Sequence, residues 1–145
     1  MNRKSISAVR DEALQEVRAV YRELEQRPVE RACTRRTECC QFKLTGRTPM
    51  LTRGEAILAA KGLRASGRKA LPVREDGSCP MLRESGACLI YADRPFGCRT
   101  HFCAAAGGPY ARAEVVDLIR RLEAVDGQLE GNGPRALEAA VRDEL

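Results

Sequence analysis

Apolar side chains recur at helical spacing near the start of the chain, at Val9, Leu14, Val17, Val20, Tyr21 and Leu24. That period predicts an amphipathic helix from Ser7 to about Gln26. Asp11 and Glu12 lie early in it, Arg27 lies at its end, and Pro28 stops it. Thr52-Arg53-Gly54-Glu55 has capping-box spacing and predicts a second helix running to about Leu63. A third is expected from about Arg112 to Leu122, on Val115, Val116, Leu118, Ile119 and Leu122, after the break at Gly107-Gly108-Pro109. Gly131-Asn132-Gly133-Pro134 reads as a turn, with Pro134 suited to the first position of a last short helix.

Between these segments the periodicity lapses. Arg64 to Asp76 contains Gly67, Pro72 and mixed charges and reads as a loop. Leu89-Ile90-Tyr91, ahead of Pro95, is too brief for more than a turn or an edge strand. The pattern predicts a mainly α, small single domain over residues 1–145, a usual length for one domain. Helical flanks at 1–32 and 104–145 enclose an irregular, loop-rich middle at 33–103. No apolar run approaches a membrane span, which argues against a membrane protein. The opening residues are charged in every turn and lack the apolar stretch of an export signal, so a cytoplasmic location is expected.

Cysteine placement changes the picture of the middle. Cys33, Cys39, Cys40, Cys79, Cys88, Cys98 and Cys103 are all seven of the chain's cysteines, and its one histidine, His101, falls among them. An odd count without an export signal points to metal ligands or redox groups before disulfides. Charge follows the same division. The chain carries +5, and residues 33–103 alone carry 13 Lys and Arg against 6 Asp and Glu. Positive surroundings favour the thiolate, the form that binds metals. The arginines are dispersed and do not alternate with aromatic residues, which argues against a nucleic-acid surface. A metal held by protein ligands contributes about 10–16 kcal/mol of apparent folding energy in small sites, more than these loops offer by burial. A metal centre is therefore expected to organise residues 33–103.

Four elements follow in order: Cys33 to the Cys39-Cys40 pair, Cys79-Pro80-Met81-Leu82, Cys88-Leu89-Ile90-Tyr91, and Arg94-Pro95-Phe96-Gly97-Cys98-Arg99 closing with Cys98 and Arg99. Together they resemble the YkgJ-like cysteine-cluster family, also described as the CxxCxxCC zinc- or iron-chelating domain. The resemblance covers about residues 33–103. It implies bound zinc, iron or an iron–sulfur cluster, without implying a reaction. The same cysteine pattern is associated with the larger flagellin lysine N-methylases. One position departs from the family, which opens Cys-x-x-Cys-x-x-Cys-Cys. Arg36 stands here where the second cysteine belongs.

The candidate ligands are Cys33, Cys39, Cys40, Cys79, Cys88, Cys98, Cys103 and His101. Adjacent Cys39 and Cys40 have diverging side chains, which suits two sites or one ligand beside one packed thiol. Cys79, Cys88 and Cys98 lie in turn-rich sequence. His101 reads as a ligand, as a general base paired with a nucleophilic cysteine, or as a surface histidine. With His101 the donors number eight, enough for two four-coordinate sites, His101 replacing the thiol lost at Arg36. The alternative is one four-cysteine centre with the other thiols structural. Arg94 and Arg99 suit thiolate neutralisation, an anionic partner, or ion pairs with acids such as Asp93 or Glu38.

Phosphate-binding and dinucleotide-binding glycine motifs are missing, and a Ser-His-Asp triad has only His101 to draw on. The expected function is a metal-binding protein holding zinc or an iron–sulfur cluster, structural, accessory or metal-handling in role, with a protein partner compatible. The alternative is an iron–sulfur or Cys/His-dependent enzyme of redox or group-transfer type, by analogy with the methylases. The sequence leaves open whether the protein is an enzyme.

Overall fold

The computed structural model describes residues 5–27, 48–74, 78–83, 85, 87–100 and 111–145. It is mainly helical, as the periodicity predicts. Helix α1 (Ile6–Gln26) starts at Ser5, whose Oγ accepts the Ala8 amide at 3.1 Å. Its buried face is Ala13, Leu14, Val17, Val20, Tyr21 and Leu24. Strand β1 (Met50–Leu51) leads into α2 (Arg53–Ala65), and Thr52 and Glu55 engage in the capping box that their spacing predicts. At the far end Gly67 takes a φ of +90°, and the amides of Gly67 and Arg68 reach back to the carbonyls of Arg64 and Leu63. That is a Schellman ending, open to glycine because it has no Cβ to strain.

A 3-10 turn at Tyr91–Asp93 precedes α3 (Phe96–Thr100), a short helix with no periodic signal in the sequence. Helix α4 (Arg112–Gln128) runs six residues past the predicted end at Leu122. Val125 continues its buried stripe, and the buried Asp126 accepts the amides of Arg53 at 2.7 Å and Gly133 at 2.9 Å. The expectation for Pro134 is corrected. The chain stays extended through β2 (Arg135–Ala136), which pairs antiparallel with β1, Met50 opposite Ala136 and Leu51 opposite Arg135. The last helix, α5 (Leu137–Arg142), begins only after this ladder, with the Leu137 amide bonded to the Pro49 carbonyl at 3.0 Å. Two strand residues find backbone partners across the ladder that a first helical turn would not give them.

Two apolar clusters share α2. Ile57 and Leu58 join α1, α4 and Phe96 in the first. Ala56, Ala59, Ala60 and Leu63 line the second, with Leu51, Leu71, Cys79, Met81, Leu82, Ile90 and α5. The middle thus brings more apolar surface than its sequence suggests: Met81 is fully buried, as are Pro80 and Pro95. Gly54 lets the helices close, since a Cβ there would meet Val125 Cγ1 at 2.8 Å and Val17 Cγ2 at 2.9 Å. Among the described residues no helix is long and apolar enough to cross a membrane.

Candidate metal centre

Cys79 opens a tight turn in which the Leu82 amide donates to the Cys79 carbonyl at 3.0 Å. Leu82 then bridges antiparallel to Cys88, with the Leu89 amide on the Met81 carbonyl and the Arg83 amide on the Ala87 carbonyl, both at 2.8 Å. Arg74 ties the turn from outside, its Nε donating to Ser78 Oγ at 3.0 Å and its guanidinium to the Leu82 carbonyl at 2.7 Å. Two cysteines nine residues apart are thereby brought to one small hairpin. Cys79 is buried in the second cluster and Cys88 packs half-buried against it. A loop expected to depend on metal is built on backbone bonds and on Met81, Leu82 and Ile90.

Cys98 sits on α3, in the Arg-Pro-x-x-Cys-Arg element. Pro95 is buried and its carbonyl accepts the amides of Cys98 at 3.0 Å and Arg99 at 3.2 Å, forming the first turn. Phe96 anchors the helix in the first cluster. The two arginines divide their work. Arg94 lies over the Tyr91 ring at 3.9 Å and donates to the Tyr91 carbonyl at 2.9 Å. Arg99 is buried, stacks over the Tyr21 ring at 4.2 Å, and donates to the carbonyls of Arg94 and Ala92, both at 2.7 Å. Its remaining arm pairs with Glu25 on α1. All three guanidinium nitrogens are engaged within the chain, so the structural role holds for Arg99, with Glu25 rather than Asp93 as the acid. Glu38 lies outside the described residues.

Behind α3 stands a buried carboxylate that sequence reading assigned only to a helix cap. Glu55 Oε2 accepts the Phe96 amide at 2.7 Å and the Tyr21 hydroxyl at 3.0 Å. Its Oε1 accepts the Thr52 hydroxyl at 3.0 Å and the Thr52 amide at 3.3 Å. Burial raises the Glu55 carboxyl above its ordinary range, opposed by these bonds, chiefly the one from Phe96. Burial also holds the Tyr21 phenol well above its ordinary range, and the neighbouring Glu55 adds to this. The capping-box spacing located Glu55 in the sequence; its contact with Phe96, 41 residues on, left no local signal.

Of the eight candidate ligands, Cys79, Cys88 and Cys98 are placed, two on the hairpin and one on α3. Cys33, Cys39, Cys40, His101 and Cys103 lie outside the described residues, as does Arg36. Among the described residues no three Cys, His, Asp or Glu side chains converge into a metal-sized group. The chemistry of the donors nevertheless fits a soft or borderline metal, because thiolates are the preferred ligands of zinc and of iron–sulfur clusters. A thiolate set into an apolar cluster, where Cys79 lies, is costly without a cation beside it.

No curated protein and no solved structure matches the chain. A family model does, over residues 31–118, a span that contains all eight candidate ligands, both described cysteine elements and α3. On that match, covering more than half of its length, the chain belongs to the CxxCxxCC family, "Putative zinc- or iron-chelating domain".

Proposed function

We propose that this protein binds zinc or an iron–sulfur cluster through Cys33, Cys39, Cys40, Cys79, Cys88, Cys98, Cys103 and His101, in a structural, accessory or metal-handling role in the cytoplasm. The family match carries the reading, because it spans every one of these donors. The fold supports it. The Cys79 and Cys88 backbones are fixed by the Leu82 bridge, and the Cys98 backbone by Pro95, Phe96 and Arg99. Preformed backbone lowers the ordering cost of assembling a chelate, and the metal supplies the charge that makes clustered thiolates tolerable.

Within this reading Cys79 and Cys88 act as a hairpin pair and Cys98 as a donor from α3. Elemental analysis of protein purified without oxygen, for zinc, iron and acid-labile sulfide together, tests it. At least one equivalent of zinc, or of iron with matching sulfide and a brown colour, is expected. Rapid alkylation of intact cells followed by mass spectrometry should show no stable disulfide. Metal-free protein with three native bridges and one remaining thiol would overturn both the metal and its compartment.

A further inference from the structure

Glu55 is fully buried, no cation bonds to its carboxylate among the contacts described above, and four donors from three elements converge on it. A buried carboxylate costs several kcal/mol unless its lone pairs are satisfied, so its position is rigidly determined by those donors. Two of them belong to the body of the fold: Tyr21 on α1, and Thr52 at the start of α2. The third element is α3, a five-residue helix too short to hold itself, whose first amide the carboxylate receives. Phe96 stands two residues before Cys98. On the other side Arg99, one residue after it, clamps α3 to the Tyr91–Asp93 turn and to α1. Cys98 is therefore bracketed by two buried polar anchors, each reaching to the helical body. The Glu55 anchor has no other evident task, since a capping box on α2 needs neither the Phe96 amide nor the Tyr21 hydroxyl.

We propose that Glu55 is a positioning residue for the metal centre, fixing Cys98 through the Phe96 amide so that metal affinity depends on the α1–α2 body. The inference rests on the reading of Cys98 as a ligand. Groups that orient a ligand typically govern about 10–100-fold in metal affinity without touching the metal. Coupling of this kind is reciprocal: a metal held at Cys98 must also steady the donors gathered on Glu55.

The test is competition for Zn(II) between a chromophoric chelator and the reduced full-length protein, comparing wild type with Glu55→Gln, Thr52→Ala and Cys98→Ser. A glutamine keeps the shape, but in either orientation its NH2 group meets a backbone N–H, of Phe96 or of Thr52, so the side chain must leave its seat and cannot hold the Phe96 amide as the carboxylate does. Glu55→Gln should weaken zinc binding about tenfold or more. Thr52→Ala removes a hydroxyl from Oε1 and leaves the Phe96 bond, so it should lower thermal stability and keep zinc affinity within about twofold of wild type, below the effect of losing a ligand-orienting group. Glu55→Gln binding zinc like wild type, while Cys98→Ser loses it, overturns the positioning role alone. Cys98→Ser binding like wild type overturns the role together with the ligand reading beneath it. Should Glu55→Gln fail to fold, hydrogen exchange on wild-type protein decides. Removing zinc should speed exchange at the Phe96 and Thr52 amides, both bonded to Glu55, well beyond any change at Arg53, whose amide is held by Asp126. Equal protection of Phe96 with and without zinc would refute the coupling.

Discussion

The two apolar clusters on either side of α2 are built by different means. The first consists of helix faces: Leu14, Val17, Val20, Leu118, Leu122 and Val125 meet in rows at helical spacing, joined by Ile57 and Leu58 of α2 and by Phe96 of α3. The second takes alanines from α2 and sets against them single residues from β1, the hairpin, the 3-10 turn and α5. Two of the placed cysteines belong to the second, one as a member and one against it. Among the described residues the first cluster contains no thiol. The second includes thiols whose proposed partner is a metal, so metal and packing should act on it together.

Cavity-forming substitutions sharpen that difference most. Leu118→Ala and Met81→Ala each empty a fully buried position, one in each cluster, and each should cost about 2–5 kcal/mol in metal-free protein. Denaturant unfolding with and without saturating zinc then separates them. The loss in Leu118→Ala should be the same in both conditions. In Met81→Ala it should grow with zinc present, because Met81 forms the turn between Cys79 and Leu82 and a displaced hairpin binds metal less well. If both variants respond to zinc alike, the clusters are one unit and the distinction fails.

The same difference governs what the sequence reveals. Residues forming the first cluster repeat every three or four positions, so α1 and α2 are legible to within two residues and α4 in its existence though not its length. Met81, Leu82, Ile90 and Phe96 carry no period, because each is buried by a turn rather than a helix face. Their sequence looks like loop for that reason. Likewise β2 is two residues long and exists only through pairing with β1, whose partner residues lie 84 and 86 positions earlier, which no local pattern encodes. Cysteine spacing marks Cys79, Cys88 and Cys98 as candidate ligands without help from the fold. The carboxylate behind Cys98 is silent, since a helix-capping Glu and a buried anchor for a distant amide have the same local sequence.

Glycine substitutions probe the seams next. At Gly54 a new methyl would press on valine branches fixed in α1 and α4. Overpacking of this type costs about 1–3 kcal/mol, partly offset by the roughly 1 kcal/mol gained in replacing a helical glycine by alanine. Gly54→Ala should therefore destabilise. At Gly62 the obstacles are Asp93 Oδ2 at 2.9 Å, the end of a half-buried side chain that can turn aside, and Ile90 Cγ2 at 3.2 Å, which needs to give by only a few tenths of an ångström. Gly62→Ala should be close to neutral in thermal unfolding. A larger loss at Gly62 than at Gly54 would mean the second cluster is the more rigid of the two.

Metal removal should leave a graded trace in hydrogen exchange. Amides of α4 at Leu118 and Leu122 should keep their protection when zinc is stripped by a strong chelator. The Leu89 and Arg83 amides, which close the hairpin, should exchange faster, but not as fast as an unfolded loop, since Met81 and Leu82 remain packed. Unchanged exchange at Leu89 would show that packing alone holds the hairpin and that metal contributes nothing to its order.

The smallest expected effect lies in pH, and its sign differs between the seam of the clusters and the solvent edge. Glu55 has an ordinary value near 4.5, which burial raises in the folded protein. Folded protein then holds the Glu55 proton more tightly than unfolded protein does. Its contribution to stability is complete below the unfolded value and is lost as pH rises through the folded one. Asp117, on the exposed side of α4, runs the other way. The bond from Arg27 holds its carboxyl below an ordinary value near 3.8, so its contribution is present above that value and lost as pH falls. Urea unfolding of zinc-free protein between about pH 2 and 8 should therefore show the advantage of wild type over Glu55→Gln shrinking as pH rises from the ordinary carboxylate range. The advantage over Asp117→Asn should instead shrink as pH falls, and fade in high salt because the pair is solvent-exposed. A wild-type advantage over Glu55→Gln that grows with pH would mean that the four donors outweigh burial and lower the carboxyl instead of raising it.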